Sequence, residues 1–166
     1  MTEEMKKKFL TLKQFLPILK RLRRKKEKIV FTNGCFDLIH SGHIHLLQSA
    51  AAMGDILVVG INSDSSVRKL KGWGRPLFPL KERAEILSSI EYVDYVIAFS
   101  TITPARLIDR IVPDVLVKGS DWKSSEIVGR ETVRRRGGKV KTVRLKKGIS
   151  TSALIERVIN RFSNEG

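Results

Sequence analysis

Residues Thr32-Asn-Gly-Cys-Phe-Asp-Leu-Ile-His-Ser-Gly-His43 constrain this chain more than any other stretch. They follow Lys28-Ile-Val-Phe31, a short apolar run that reads as a buried strand, and lead into Ile44–Met53, which has helical spacing. Two histidines thus flank a glycine where a strand gives way to a helix. The start of such a helix carries unpaired backbone N–H groups and partial positive charge, a setting that suits an anion. Imidazoles placed there add donors toward a phosphate whose charge changes during reaction. The stretch points to nucleotide chemistry.

The alternation continues along the chain. Asp55–Ile61 reads as a second strand, Asn62–Leu70 as a short helix or loop, and Gly72–Pro79, punctuated by Gly72, Gly74 and Pro76, as a mobile loop. Lys81–Ile90 reads as a helix with Ala84, Ile86 and Leu87 inward, and Tyr92–Phe99 as the third strand. Thr103–Ile111 follows as a helix and Asp114–Val117 as the fourth strand. Ser124–Arg136 is helical and stops at Gly137-Gly138; Lys139–Val143 is a marginal fifth strand, and Ser150–Phe162 an amphipathic helix. Ahead of all this, Thr11-x-x-Gln14 has capping-box spacing, and Leu12, Phe15, Leu16, Leu19 and Leu22 repeat at helical intervals. Pro17 is expected to move the start of that helix to Leu16 or to kink it.

Strands alternating with helices predict an α/β fold: a Rossmann-like, parallel, five-stranded sheet with helices on both faces. Such sheets bind ligands beyond the carboxyl ends of the strands, where the strand order reverses. Asn33–His43, Asn62–Lys71, Gly119–Asp121 and Ser150–Ser152 then meet on one edge.

Charge and cysteine content narrow the setting. The formal net charge of +15 is confined to two segments: residues 1–28 hold 11 Lys/Arg against 3 acids, and residues 134–147 hold 8 with no acid. Neither cluster is interleaved with aromatic residues, so a solvated or substrate-steering face is expected ahead of nucleic-acid binding, and a nucleic-acid-binding module stays open as the alternative from another class. No apolar run approaches the ~20 residues of a membrane span. A single cysteine excludes an intramolecular disulfide, which makes the cytoplasm the expected location. His-x-x-His also has metal-ligand spacing, but no further ligand cluster accompanies it, and no metal site is expected.

The motif Gly34-x-Phe36-Asp37-x-x-His40-x-Gly42-His43 resembles the signature of the nucleotidyltransferase superfamily that includes the cytidylyltransferases and pantetheine-phosphate adenylyltransferase. Gly148-Ile-Ser-Thr-Ser152 resembles that superfamily's C-terminal phosphate-binding motif. Between them, Arg68-Lys-Leu-Lys-Gly-Trp-Gly-Arg-Pro76 and Leu116-Val-Lys-Gly-Ser-Asp-Trp122 are similar to the adenylyltransferases of ADP-heptose synthesis. The four motifs, in order, span roughly residues 28–160. The division implied is an N-terminal basic helical extension, 1–27, and a nucleotidyltransferase domain, 28–166.

The resemblance implies a reaction: AMP passes from ATP, with Mg2+, to D-glycero-β-D-manno-heptose 1-phosphate. Little proton transfer is needed, because a sugar phosphate is already an anionic nucleophile; alignment and charge stabilisation carry the step. By resemblance, His40 and His43 contact the nucleotide phosphates, with His43 stabilising transition-state charge. The bland alternative is two polar helix-start residues. Asn33, Gly34, Cys35, Phe36 and Gly42 approach the nucleotide, Cys35 as a small packed residue and not as a nucleophile. Gly119 and Asp121 face the base or ribose, and Ser150, Thr151 and Ser152 the terminal phosphates, unless Ser150 merely caps its helix. Lys71 is expected over the phosphates; Asp37, Lys69, Arg75 and Arg83 are the substrate-side candidates, with Arg83 open to a purely structural role.

Two positions depart from the glycerol-3-phosphate cytidylyltransferase pattern. Glu91 and Leu145 stand where that group has arginines, which weakens a CTP-dependent reading for a small phospho-alcohol. With no sugar-kinase segment in the sequence, the heptose kinase is expected as a separate protein. A homodimer through Leu12–Leu22 is also open.

Overall fold

Apolar runs too short to be stable alone are joined here by parallel pairing into one sheet. The computed structural model describes residues 3–120, 126–144 and 148–163. Chain order is α1 (Glu3–Lys8), β1 (Phe9–Leu10), α2 (Leu12–Arg24), β2 (Ile29–Gly34), α3 (Ser41–Ala51), β3 (Ile56–Asn62), α4 (Asp64–Lys71) and α5 (Leu80–Ser88). Then follow β4 (Tyr95–Phe99), α6 (Ala105–Ile111), β5 (Val115–Gly119), α7 (Arg130–Arg135), β6 (Lys139–Val143) and α8 (Thr151–Phe162). The six strands are ordered β1-β4-β3-β2-β5-β6, and all pairings are parallel.

Continuous apolar strands are what a sheet covered on both faces requires. Alternate residues of β2 show it. Val30 packs with Leu46, Leu47, Ala84 and Leu87 on the side of α3 and α5. Ile29 and Phe31 pack with Phe15, Leu19, Ile108 and Val133 on the side of α2, α6 and α7. The chain runs from β2 out to β3 and β4, then crosses back to β5 on the other flank of β2. That reversal opens a crevice above the carboxyl ends of β2 and β5. Among the described residues, no helix is long and apolar enough to cross a membrane.

Several expectations are corrected. The sheet has six strands and not five, because Phe9 and Leu10 pair with Val96 and Ile97; two residues carry no period that a sequence pattern could reveal. Helix α2 runs unbroken through Pro17. Thr11 and Gln14 form the reciprocal capping box, at 2.9 and 3.3 Å, while Phe15, Leu19 and Leu22 bury the opposite face. Pro17 points to solvent, so its missing N–H leaves no buried carbonyl unsatisfied on the packed side. Helix α3 begins at Ser41, which brings His43 into its first turn. In α5, Ile86 faces outward and Arg83 takes an inward place beside Ala84 and Leu87. Helix α7 starts only at Arg130, since Gly129 before it sits at φ +85° with no room for a Cβ against Ile108.

Phe15 is fully buried although it precedes the first long strand. Phe15→Ala should lower unfolding free energy by about 3–5 kcal/mol. A urea-melt difference under about 1 kcal/mol would mean that α2 is not part of the core.

Candidate active site

The site grows from the turn after β2. Phe36 takes φ +48° and is almost fully buried, with its ring beneath Gly34, where a Cβ would stand 3.1 Å from it. That turn delivers His40 to the N-cap of α3. The His43 amide donates to the His40 carbonyl at 2.9 Å and lies 3.3 Å from His40 Nδ1. The two imidazoles stack, with centroids 3.8 Å apart and planes at 21°. Gly42 makes the stack feasible: a Cβ there would lie 3.0 Å from His40 Nδ1. Phe36 closes the far side of His43 at a centroid distance of 5.2 Å.

Burial sets the charge state. It pushes the His43 imidazole below its ordinary 6.5, to about 4, and the neighbouring His40 adds to the effect. Burial lowers His40 as well. At neutral pH both rings are neutral donors and acceptors, ready to gain charge when an anion arrives. Cys35 moves the other way: burial raises its thiol pKa, against the opposing pull of Lys71, which leaves it a poor nucleophile.

Two buried ionic groups brace these turns. The wholly buried Arg83 donates to the carbonyls of Phe78, Cys35 and Asn62 at 2.9, 2.5 and 2.9 Å, and to the Asp64 carboxylate at 2.8 Å. Asp37 is also buried and accepts from Arg75 Nε at 2.5 Å and from the Leu77 and Phe78 amides at 2.8 and 3.1 Å. Asp37 therefore ties the loop after α4 to the histidine turn.

Above them lies a cleft of about 570 Å³. It brings together Asn33, Gly34, Cys35, Phe36, Asp37, His40, Gly42 and His43 from the β2–α3 turn. Lys71 and Arg75 come from the α4–α5 side, Gly119 from the end of β5, and Ser150, Thr151 and Ser152 from the start of α8. Ser150 Oγ caps α8 by accepting from the Ala153 amide at 3.1 Å. Asn33 Oδ1 is buried without a hydrogen-bond partner among the described residues, an acceptor suited to a ligand hydroxyl or amine.

Two candidates are not brought to the cleft. Lys69 is exposed on α4, and Arg83 lies beneath the floor with its donors turned to protein oxygens. His45 also stays outside the lining. Asp121, Trp122 and Leu145 fall outside the described residues. Glu91 is an exposed residue of the connection before β4.

Two contributors escaped the sequence reading: Lys118 and the Ile102–Pro104 rim. Lys118 is almost buried, and its Nζ lies 3.3 Å from the Asn33 carbonyl. A lysine ending an otherwise apolar strand was the available signal. Ile102–Pro104 gave none, because its place depends on the crossover from β4. Among the described residues, no group of three or more His, Cys, Asp or Glu could hold a metal. Asp37, the carboxylate lining the cleft, already accepts three hydrogen bonds.

The family model for cytidylyltransferase-like proteins matches residues 31–157, from the β2 strand through the helix that closes the cleft. The chain belongs to the cytidylyltransferase-like family. It is a nucleotidyltransferase by that membership. Among curated relatives, the bifunctional protein HldE of Coxiella burnetii (strain RSA 493) is 50% identical over 134 residues, covering 81% of this chain and 28% of that protein. HldE of Helicobacter pylori (strain J99) is 48% identical over 141 residues, 85% of this chain and 30% of the relative. The chain thus spans under a third of the length of these relatives. Of solved structures, the lipopolysaccharide core biosynthesis protein of Thermoplasma volcanium superposes with TM-score 0.61 at 29% identity, over 73% of this chain and 98% of the other. Pantoate-beta-alanine ligase of Francisella tularensis shares the fold, with TM-score 0.62 at 16% identity, over 90% and 72%.

For this cytidylyltransferase-like site, the low His43 pKa carries a measurable sign. A bound triphosphate favours the imidazolium, so the pKa in the complex rises from about 4. Below neutrality, binding should take up protons, and by reciprocity affinity should rise as pH falls toward the free imidazole's value of about 4. Calorimetry in buffers of different ionisation enthalpy reads the uptake directly. His43→Ala should reduce it; equal uptake in both proteins would contradict the assignment.

Proposed function

We propose that this chain is an adenylyltransferase that moves AMP from ATP to D-glycero-β-D-manno-heptose 1-phosphate, giving ADP-heptose and pyrophosphate. The observation that carries the proposal is the meeting of two helix starts, the stacked His40–His43 pair and Ser150–Ser152, with Lys71 in one cleft. The heptose assignment is supported by the relatives: proteins near 50% identity are named HldE, and a structural neighbour is named for lipopolysaccharide core biosynthesis. ATP fits the loss of the CTP-type arginine at Glu91.

In this reading the sugar-phosphate oxygen attacks the α-phosphorus of ATP. The new P–O bond forms as the bond to the β-phosphate oxygen breaks, and pyrophosphate leaves with that electron pair. His40 and His43 donate to the nucleotide phosphates, and His43 gains charge as negative charge builds there. The N–H groups at the start of α8 receive the leaving pyrophosphate. Lys71 neutralises the acceptor and α-phosphate oxygens. Arg75 lines the cleft with its Nε held by Asp37, and its remaining donors orient the acceptor. Asn33 Oδ1 and Gly119 face hydroxyl or amino groups of the nucleotide.

Mg2+ enters as the metal complex of the triphosphate. The cleft suits phosphate oxygens better than a bare divalent ion, because Asp37 is committed to Arg75 and two amides. In this reading the acceptor is the product of a sugar kinase.

The test is pyrophosphate release with ATP or CTP, offered with heptose 1-phosphate or glycerol 3-phosphate. Release should require ATP and the heptose phosphate together; preference for CTP would overturn the donor assignment. His43→Ala should lower kcat about 10²–10³-fold while the urea midpoint holds. A fully active variant would defeat the mechanism.

A further inference from the structure

The charge excess lies in residues 1–28 and 134–147, and the fold brings the end of the first segment beside Gly137 and Lys139 of the second. Arg23, Lys26 and Lys28, at the end of α2 and the link to β2, share one shallow hollow with Gly137 and Lys139. The hollow has a volume of about 350 Å³ and lies at the amino ends of β2, β5 and β6. Asp114 in its wall joins those three ends: its carboxylate accepts from the Ile29 amide, and its carbonyl from the Lys139 amide. The reaction cleft opens at the carboxyl ends, about 20 Å away along a six-residue strand.

Local reasons exist for some of these cations. Those in the last turns of α2 and α7 complement the helix dipoles, and lysines on the edge strand β6 discourage edge-to-edge pairing. Arg23 is committed to the carbonyls of Ile111 and Val112. None of these reasons requires two cationic ridges to flank one hollow, nor a segment of 8 Lys/Arg without an acid. The ridges are drawn from exposed lysines of two elements: Lys25, Lys26 and Lys28 at the end of α2 and in the link to β2, and Lys139 and Lys141 on β6.

The occupant follows from what the face offers. Glu27 and Asp114 line the hollow, so it does not suit a small anion seated inside. None of the exposed large apolar side chains among the described residues lines this hollow. That removes the stacking platform single strands use, the wedge of minor-groove binders and the apolar anchor that lasting membrane attachment needs. What remains suits a ridged polyanion whose phosphate rows straddle the acidic floor. We propose that this face binds the phosphate backbone of double-stranded nucleic acid without reading its sequence, leaving the cleft open to substrate. The absence of aromatics, which argued against nucleic acid in the sequence, bears on single strands; a duplex held by its phosphates needs none.

Fluorescence anisotropy of labelled random-sequence DNA and RNA duplexes of roughly 20 base pairs, titrated between about 50 and 200 mM salt, tests this. Phosphatidylserine vesicles serve as the competing anionic surface. Duplex binding should fall with a log–log salt slope of about −3 to −4, the value for roughly four phosphates. Lys25→Glu/Lys139→Glu/Lys141→Glu should bind at least about tenfold more weakly, with a shallower slope, while pyrophosphate release stays unchanged. The matching Lys→Arg variant should retain binding. Three results would each overturn the proposal: no duplex binding at the low-salt end, undiminished binding by the charge-reversed protein, or tighter binding to vesicles than to duplex.

Discussion

The guanidinium of Arg83 is wholly buried, and the site is built around what that charge requires. An unpaired buried cation costs several kcal/mol, so it tolerates only an arrangement in which its donors are met. Here they are met by the Cys35 carbonyl after β2, the Asn62 carbonyl at the end of β3, the Phe78 carbonyl before α5 and the Asp64 carboxylate opening α4. Those are the turns that carry or adjoin the cleft. Ala84 and Leu87 fix α5 against the sheet and hold Arg83 at this junction. A helix outside the cleft thereby sets the geometry inside it.

Asp37 completes the arrangement from the opposite sign of charge. It gathers Arg75 and two loop amides, so the segment bearing Lys71 is fastened to the turn bearing the histidines. The functional groups themselves are polar, and their bonds within the protein are few. His40 and His43 are neutral and stacked, and Asn33 Oδ1 is an unmet buried acceptor among the described residues. Such groups gain more from an arriving phosphate than from one another, which is how a preorganised electrostatic site works.

The histidine turn and the α8 start were legible because their chemistry is local. The residues that carry it are contiguous, and a strand followed by a capped helix is written in short-range spacing. The convergence of distant loops was legible too, through the rule that parallel sheets bind at their carboxyl edge. What escaped reading depends on tertiary choice. Phe9–Leu10 is too short to show a period and becomes a strand only because β4 offers an edge. Pro17 sits within α2 because packing of Phe15, Leu19 and Leu22 outweighs one lost hydrogen bond. Arg83 and Ile86 exchange faces against the hydrophobic rule because the buried charge finds four oxygens. Lys118 enters the cleft from a strand whose other residues argued for simple core.

The central claim is direct transfer at this cleft, with Cys35 a spectator and no covalent enzyme intermediate. The stereochemical course at the α-phosphorus tests it most directly, using ATP made chiral by sulfur at that position with the heptose phosphate as acceptor. A single in-line displacement predicts inversion of configuration in the nucleotide sugar formed. Retention would mean two successive displacements, and so an enzyme-bound nucleotidyl group that this account excludes.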